Sequence, residues 1–157
     1  MFNIVLVNPQ IPNNTGAIGR ICINTQAKLH LISPFGFDID EKAVRRAGLD
    51  YWKQLNPIVW ENWESFYTHV SKTNSTLYFA TTKRDRTHWD VRYKPDDFLI
   101  FGSETTGLPM SLIEAFESQT ITIPMAKEGR SLNLAVATSI VLYEAIRQNF
   151  SAFEERM

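Results

Sequence analysis

Sulfur chemistry is nearly absent from this chain. Cys22 is its one cysteine in 157 residues, which excludes an internal disulfide framework and a thiolate metal cluster; the default reading of Cys22 is a small buried hydrophobe. Histidine is sparse and scattered, at positions 30, 69 and 88, and there is no H-E-x-x-H, so no metal is expected. No apolar run approaches the roughly 18 to 20 residues of a membrane span, and no membrane partner is expected. The opening MFNIVLVNPQ has no basic leader and meets Pro9 after a short apolar run, so it reads as a first strand and not a signal peptide. By elimination the expected location is the cytoplasm. Also missing are the dinucleotide G-x-G-x-x-G, the P-loop and the nucleophile elbow.

A basic excess is missing too. Sixteen Lys and Arg against seventeen Asp and Glu give a formal net charge of −1, so bulk charge offers nucleic acid no footprint. Any such contact has to be local. Lys42, Arg45 and Arg46 form one cluster and Lys83, Arg84, Arg86 and Arg92 another, though a solvated face explains such clusters equally well.

What is present reads as an ordinary globular chain, 44% hydrophobic and 21% charged. Short apolar runs at 4–7, 29–32, 77–80 and 98–101 have the pattern of strands buried on both faces, with weaker strands at 58–60 and 121–123. Helices are expected at 17–25, from Asp40 to Ala47 with a stop at Gly48, at 63–70, at 111–116 and from Leu132 to Phe150. Strands alternating with helices predict one α/β domain over 1–157, a mostly parallel sheet flanked by helices. The last helix is apolar almost all round. Either a central position in the monomer or a partner subunit has to cover it.

Ligands of parallel sheets sit beyond the carboxyl ends of the strands, and three loops there are unusual. Asn14-Thr15-Gly16-Ala17-Ile18-Gly19-Arg20 has two glycines that permit close backbone approach. Phe101-Gly102-Ser103-Glu104-Thr105-Thr106-Gly107-Leu108-Pro109 sets glycines and small polar residues around one carboxylate. Ile123-Pro124-Met125 leads through Arg130-Ser131-Leu132-Asn133 into the long helix. Singly, Gly16 or Gly102 is most simply a turn residue, Arg20 a surface residue, and Glu104 a cap for the following turn.

Together and in this order, the loops resemble the SPOUT class of α/β-knot RNA methyltransferases, in its 2′-O-methylating branch. Asn14, Gly16 and Arg20 meet an N-x-G-x-x-x-R pattern; Gly102, Glu104, Gly107, Leu108 and Pro109 meet G-x-E-x-x-G-L-P. Ile123-Pro124-Met125 and Ser131-Leu132-Asn133-Leu134 supply the remaining pieces, before a helix that ends Tyr143-Glu144-Ala145. Ile11 to Gly16 and Arg45 to Tyr51 are similar to the compact tRNA (cytidine/uridine-34) 2′-O-methyltransferases, which act on the wobble nucleotide of leucine tRNAs. The resemblance implies a C-terminal trefoil knot, against the general rule that chains are unknotted, and a homodimer acting on tRNA with S-adenosyl-L-methionine. It places the cofactor against Ala80, Gly102, Glu104, Gly107, Ile123, Met125, Ser131 and Leu132. Asn14, Arg45, Arg46 and Arg130 would hold substrate, and Arg20 and Tyr143 would act in catalysis. Ala80 stands where many relatives have Leu, and Lys127-Glu128-Gly129 replaces a loop of different composition.

A guanidinium is a poor base, so Arg20 is better suited to clamp ribose and phosphate and to stabilise oxyanion character than to accept a proton. Tyr143 is the candidate for proton handling; otherwise it is a core tyrosine with a satisfied hydroxyl. Two other classes stay open at this point: an RNA-binding module without catalysis, and a nucleotide-dependent enzyme of Rossmann type.

Overall fold

The computed structural model describes residues 1–40, 42, 46 and 52–157. Its strands are β1 (Asn3–Val7), β2 (Lys28–Ile32), β3 (Ile58–Trp60), β4 (Leu77–Ala80), β5 (Phe98–Phe101) and β6 (Thr120–Ile121). They form one sheet in the order β3-β2-β1-β5-β4-β6, and every pairing between these strands is parallel. Helices α1 (Pro12–Thr25), α2 (Trp52–Leu55), α3 (Trp63–Val70), α4 (Met110–Ala115), α5 (Leu134–Gln148) and α6 (Phe150–Glu154) complete the described elements, with a 3₁₀ turn at Glu117–Gln119. The expected α/β architecture with a parallel sheet is the one observed.

Alternate residues of the central strands enter two separate cores, which is why their apolar runs are unbroken. Ile4, Leu6, Leu29, Leu31 and Leu99 pack with Ile18 and Cys22 of α1 and Val141, Leu142, Ala145 and Ile146 of α5. Val5, Val7, Ile32, Phe79 and Ile100 pack on the other side with Phe66 and Val70 of α3 and Ile113 of α4. Burial pushes the Cys22 thiol up to about 12, so it is an inert core residue as expected. His30 of β2 is also buried. Trp60 Nε1 donates to its Nδ1 at 3.1 Å, leaving Nε2–H to donate to Asn3 Oδ1 at 3.1 Å. Burial, and then the nearby Lys28 and His69, lower the His30 pKa to about 4, so the ring is neutral at neutral pH.

Strands 77–80, 98–101 and 58–60 and helix 63–70 lie where the pattern puts them. The helix α3 is signalled locally: Asn62 accepts from Ser65 N at 2.8 Å, and Ser65 Oγ closes the capping box. Three expectations need correction. Residues 12–16 are helix and not loop, because α1 starts at Pro12 with no side-chain cap from its own neighbourhood. Instead the Glu104 carboxylate accepts from Gln10 N at 2.8 Å and Ile11 N at 3.0 Å, a cap supplied from more than ninety residues away. The long helix starts at Leu134, since Asn133 Oδ1 accepts from Ala135 N at 2.9 Å and so takes the N-cap. It stops at Gln148, and α6 follows. Strand β6 ends at Ile121, ahead of Pro124, which has no N–H to continue a ladder. The short α2 has no expected counterpart. Of the helix expected over 40–47, Lys42 and Arg46 are helical, while Arg45, Ala47 and the stop at Gly48 lie outside the described residues.

Candidate active site

The loops leaving β4, β5 and β6 converge with the N-termini of α1 and α5 on one cavity of about 520 Å³. That size lies within the roughly 300–1,000 Å³ usual for small-molecule sites. It opens at the carboxyl ends of the strands, where parallel sheets bind ligands.

Two glycines shape its middle loop for different reasons. A Cβ on Gly102 would lie 2.1 Å from the Gly107 carbonyl carbon and the Leu108 nitrogen, so the loop folds back onto Gly102 too closely for any side chain. Gly107 has open space around it but a φ of +68°, which L side chains rarely adopt. Gly107 N donates to Ser103 O at 3.0 Å, and the Ser103 and Thr106 hydroxyls are 2.8 Å apart, so the turn is internally closed.

A relay of polar side chains ties the start of α1, the loop after β5 and the start of α5 together. Asn14 Nδ2 donates to Glu104 Oε1 at 3.3 Å, while Asn14 Oδ1 accepts from Asn133 Nδ2 at 2.9 Å. With its two backbone partners at Gln10 and Ile11, Glu104 therefore accepts three hydrogen bonds. Its carboxylate does not cap its own turn; it fastens the glycine loop to the start of α1.

Ala80, Gly102, Glu104, Gly107, Ile123, Met125, Ser131 and Leu132, the eight residues expected around a cofactor, all line this cavity, and so does Asn14. The walls suit a nucleoside cofactor: Ala80, Phe101, Ile123, Leu132 and Leu134 offer apolar surface beside glycine backbone. The pattern reading missed Thr81, Thr82 and Lys83, which also line it. They directly follow β4 at its carboxyl end, so the same strand-end rule points to them.

The remaining expected residues lie elsewhere. Arg20, Arg46, Arg130 and Tyr143 are exposed and do not line the cavity; Arg45 is outside the described residues. Arg20 projects from α1 and Tyr143, 52% exposed, from α5. Tyr143 is therefore not a core tyrosine. Val136, 47% exposed, shares its side of α5, so part of this apolar helix is left uncovered by its own chain. Gly16 is buried within α1, and Gly19 does give a close approach, but to α2: a Cβ there would lie 2.8 Å from Leu55 Cδ2. Among the described residues there is no group of three or more His, Cys, Asp or Glu that could hold a metal, and no helix long and apolar enough to cross a membrane.

Residues 1–143 match the SpoU rRNA Methylase family. The chain is 44% identical over 149 residues to a tRNA (cytidine(34)-2′-O)-methyltransferase of Saccharophagus degradans, covering 94% of this chain and 96% of that protein. A solved structure giving insights into the 2-OH methylation of C/U34 on tRNA superposes with a TM-score of 0.91 at 34% identity, over 96% of this chain and 97% of that one. An AdoMet-bound rRNA methyltransferase from Sinorhizobium meliloti superposes with a TM-score of 0.84 at 26% identity, over 93% of this chain and 56% of that one. With the two glycine- and serine-bearing loops and the start of α1 closing one cavity at the strand ends, and with relatives matched over nearly its full length, the chain belongs to the SpoU rRNA methylase family.

Proposed function

We propose that this chain methylates the ribose 2′-hydroxyl of tRNA nucleotide 34, C or U, using S-adenosyl-L-methionine, with leucine tRNAs as its substrates. The observation that carries this reading is the convergence of the loops after β5 and β6 with the start of α1 on one cavity, locked by the Glu104–Asn14–Asn133 relay. The names of full-length relatives point to the same position of tRNA, and AdoMet-bound members of the fold support the cofactor.

When bound, S-adenosylmethionine supplies a methyl group on a sulfonium, and transfer to oxygen forms a C–O bond as the C–S bond breaks. Ala80, Gly102, Gly107, Ile123, Met125, Ser131 and Leu132 would hold it, with Glu104 keeping the glycine loop in place. The rest of catalysis is positioning, with the hydroxyl about 3 to 3.5 Å from the methyl carbon. Arg20 clamps the ribose and its phosphate and stabilises the negative charge that develops on oxygen. Tyr143 stands by to relay the hydroxyl proton, accepting it as its own O–H proton passes to water. No metal enters this scheme.

The proposal includes a homodimer. Arg20 and Tyr143 lie outside the cavity of their own protomer, on helices whose exposed faces include Val136. A partner covering that face would bury its apolar side chains and set these two residues toward the other protomer's cavity. Asn14, Arg46 and Arg130 would hold tRNA, with Arg45 beside them in sequence. Residues 1–157 would form one SPOUT-type domain, its C-terminal half threading the family's trefoil knot, in the cytoplasm. The test is to incubate the protein with labelled S-adenosylmethionine and bulk tRNA from a strain lacking the gene, then map the product by mass spectrometry. Label on the ribose of nucleotide 34 in leucine tRNAs is expected. Label at another position, or none, overturns the assignment.

A further inference from the structure

Of the four tryptophans, Trp52, Trp60 and Trp63 are partly buried, whereas Trp89 is 54% exposed in the loop that joins β4 to β5. That loop is braced on both sides of it. His88 N donates to Thr122 O at 2.8 Å and Thr122 N donates to Arg86 O at 2.8 Å, which adds a strand-like bridge beside β6. The Tyr93 hydroxyl donates to His88 O, and Gln148 Oε1 of α5 accepts from Tyr93 N at 3.0 Å. Gln148 Nε2 donates to Val91 O at 3.0 Å. The buried His88 ring rests against the indole, with centroids 4.8 Å apart. Trp89 is thus a large aromatic surface held out to solvent on a backbone with little freedom to fold it away.

The loop that carries it is cationic in sequence. Residues 83–92 carry Lys83, Arg84, Arg86 and Arg92 against Asp85 and Asp90, in a chain whose overall charge is −1. Arg84 pairs with Glu117 at 3.4 Å, Asp90 accepts from the Thr87 hydroxyl, and Arg86 donates one N–H to Ser118 O at 2.9 Å. Arg92 is exposed. The loop also starts and passes at the cavity: Thr81 to Lys83 line it, and Thr122, the backbone partner of His88, precedes the wall residue Ile123. Trp89 therefore lies on the order of 10 Å from that wall, given Cα spacings of about 3.8 Å and a strand separation of about 4.8 Å.

A braced, exposed ring on an arginine-bearing loop suits single-stranded nucleic acid, the ring stacking on a base while the cations follow the phosphates. We propose that Trp89 is a stacking platform for an unpaired base of the RNA next to the nucleotide that enters the cavity, with Arg92 and Arg86 set for the adjoining phosphates. This rests on the RNA-methylating reading above and adds to it a residue that decides how the single-stranded part of the substrate lies.

The test uses the full chain with tRNA. Trp89→Ala is expected to weaken tRNA binding and raise the KM for tRNA about tenfold, with kcat and S-adenosylmethionine affinity unchanged. Trp89→Phe should keep most of the affinity. Stacking is not ionic, so the salt dependence of Trp89→Ala binding keeps its wild-type slope, whereas Arg92→Ala lowers the slope by about one. tRNA should quench tryptophan emission in the wild type and much less in Trp89→Phe. Wild-type tRNA affinity in Trp89→Ala would overturn the proposal. So would a shift of Trp89→Ala towards monomer in sedimentation, which would make Trp89 a subunit contact. A wild-type protein that binds S-adenosylmethionine but no RNA would instead sink the functional reading on which the proposal rests.

Discussion

Around the cavity glycines and apolar residues make up about half of the lining, with serines and threonines between them, and the Glu104 carboxylate there is occupied by three hydrogen bonds from the α1 end. On the outer faces of α1 and α5, by contrast, Arg20, Val136 and Tyr143 stand on regular helix and meet solvent. The first region depends on loop geometry, so a single added atom can ruin it. The second depends on functional groups that a helix carries wherever it is placed. A protomer thus has a built cavity, while Arg20 and Tyr143 lie outside it.

The sharpest way to break this contrast is at Gly102. Gly102→Trp has to displace the Gly107–Leu108 backbone, 2.1 Å from where even a Cβ would sit. Binding of S-adenosylmethionine by calorimetry should fall at least about 100-fold, roughly 2.7 kcal/mol, in protein that thermal melting shows to be folded. Unchanged binding would move the cofactor out of this cavity.

Arg20→Ala should do the opposite, lowering turnover about 100- to 1,000-fold while leaving cofactor affinity near normal. Mixing Arg20→Ala and Gly102→Trp protomers sharpens the point. If Arg20 serves the partner's cavity, each mixed dimer has one intact site, and an equal mixture should recover about a quarter of wild-type activity. Recovery of none would place Arg20 in service of its own protomer.

Glu104 joins the two regions, and its effect should be intermediate. Glu104→Gln leaves one acceptor oxygen for three donors, so denaturant unfolding should show a loss of about 1–3 kcal/mol, with weaker cofactor binding as the α1 end loosens. The scaffold beneath both regions has no effect at neutral pH and shows itself only in acid. His30 has a folded pKa of about 4, below its usual 6.5, so the unfolded chain takes up the proton first. Its stabilising contribution is therefore whole above about pH 6.5 and is lost as pH falls towards 4, by up to about 3 kcal/mol. Unfolding followed across that window should show the slope, and His30→Gln should flatten it.

Much of the frame was legible because its signals are local. The runs at 77–80 and 98–101 are unbroken because both faces of the sheet are covered, and α3 carries its own capping box at Asn62 and Ser65. The loops after β5 and β6 stand out because glycines and small polar residues gather at strand ends, whereas Ala80 and the full set of eight follow from the family resemblance, and Thr81 to Lys83, ordinary in composition, carry no such signal. The start of α1 was not legible: Pro12 to Gly16 has the composition of a loop, and the carboxylate that caps it belongs to residue 104.

By itself the sequence determined the parallel α/β sheet and the loops after β5 and β6 at its carboxyl edge, since periodicity and glycine placement act within a few residues of each position. Only the tertiary structure decided what those loops do to one another. It brought Glu104, Asn14 and Asn133 into a single relay, and left Arg20 and Tyr143 on an outer face while the cavity formed without them. Hydrogen bonds and contacts between residues some ninety positions apart exist only after the sheet has ordered its strands, so no local window of the chain contains them.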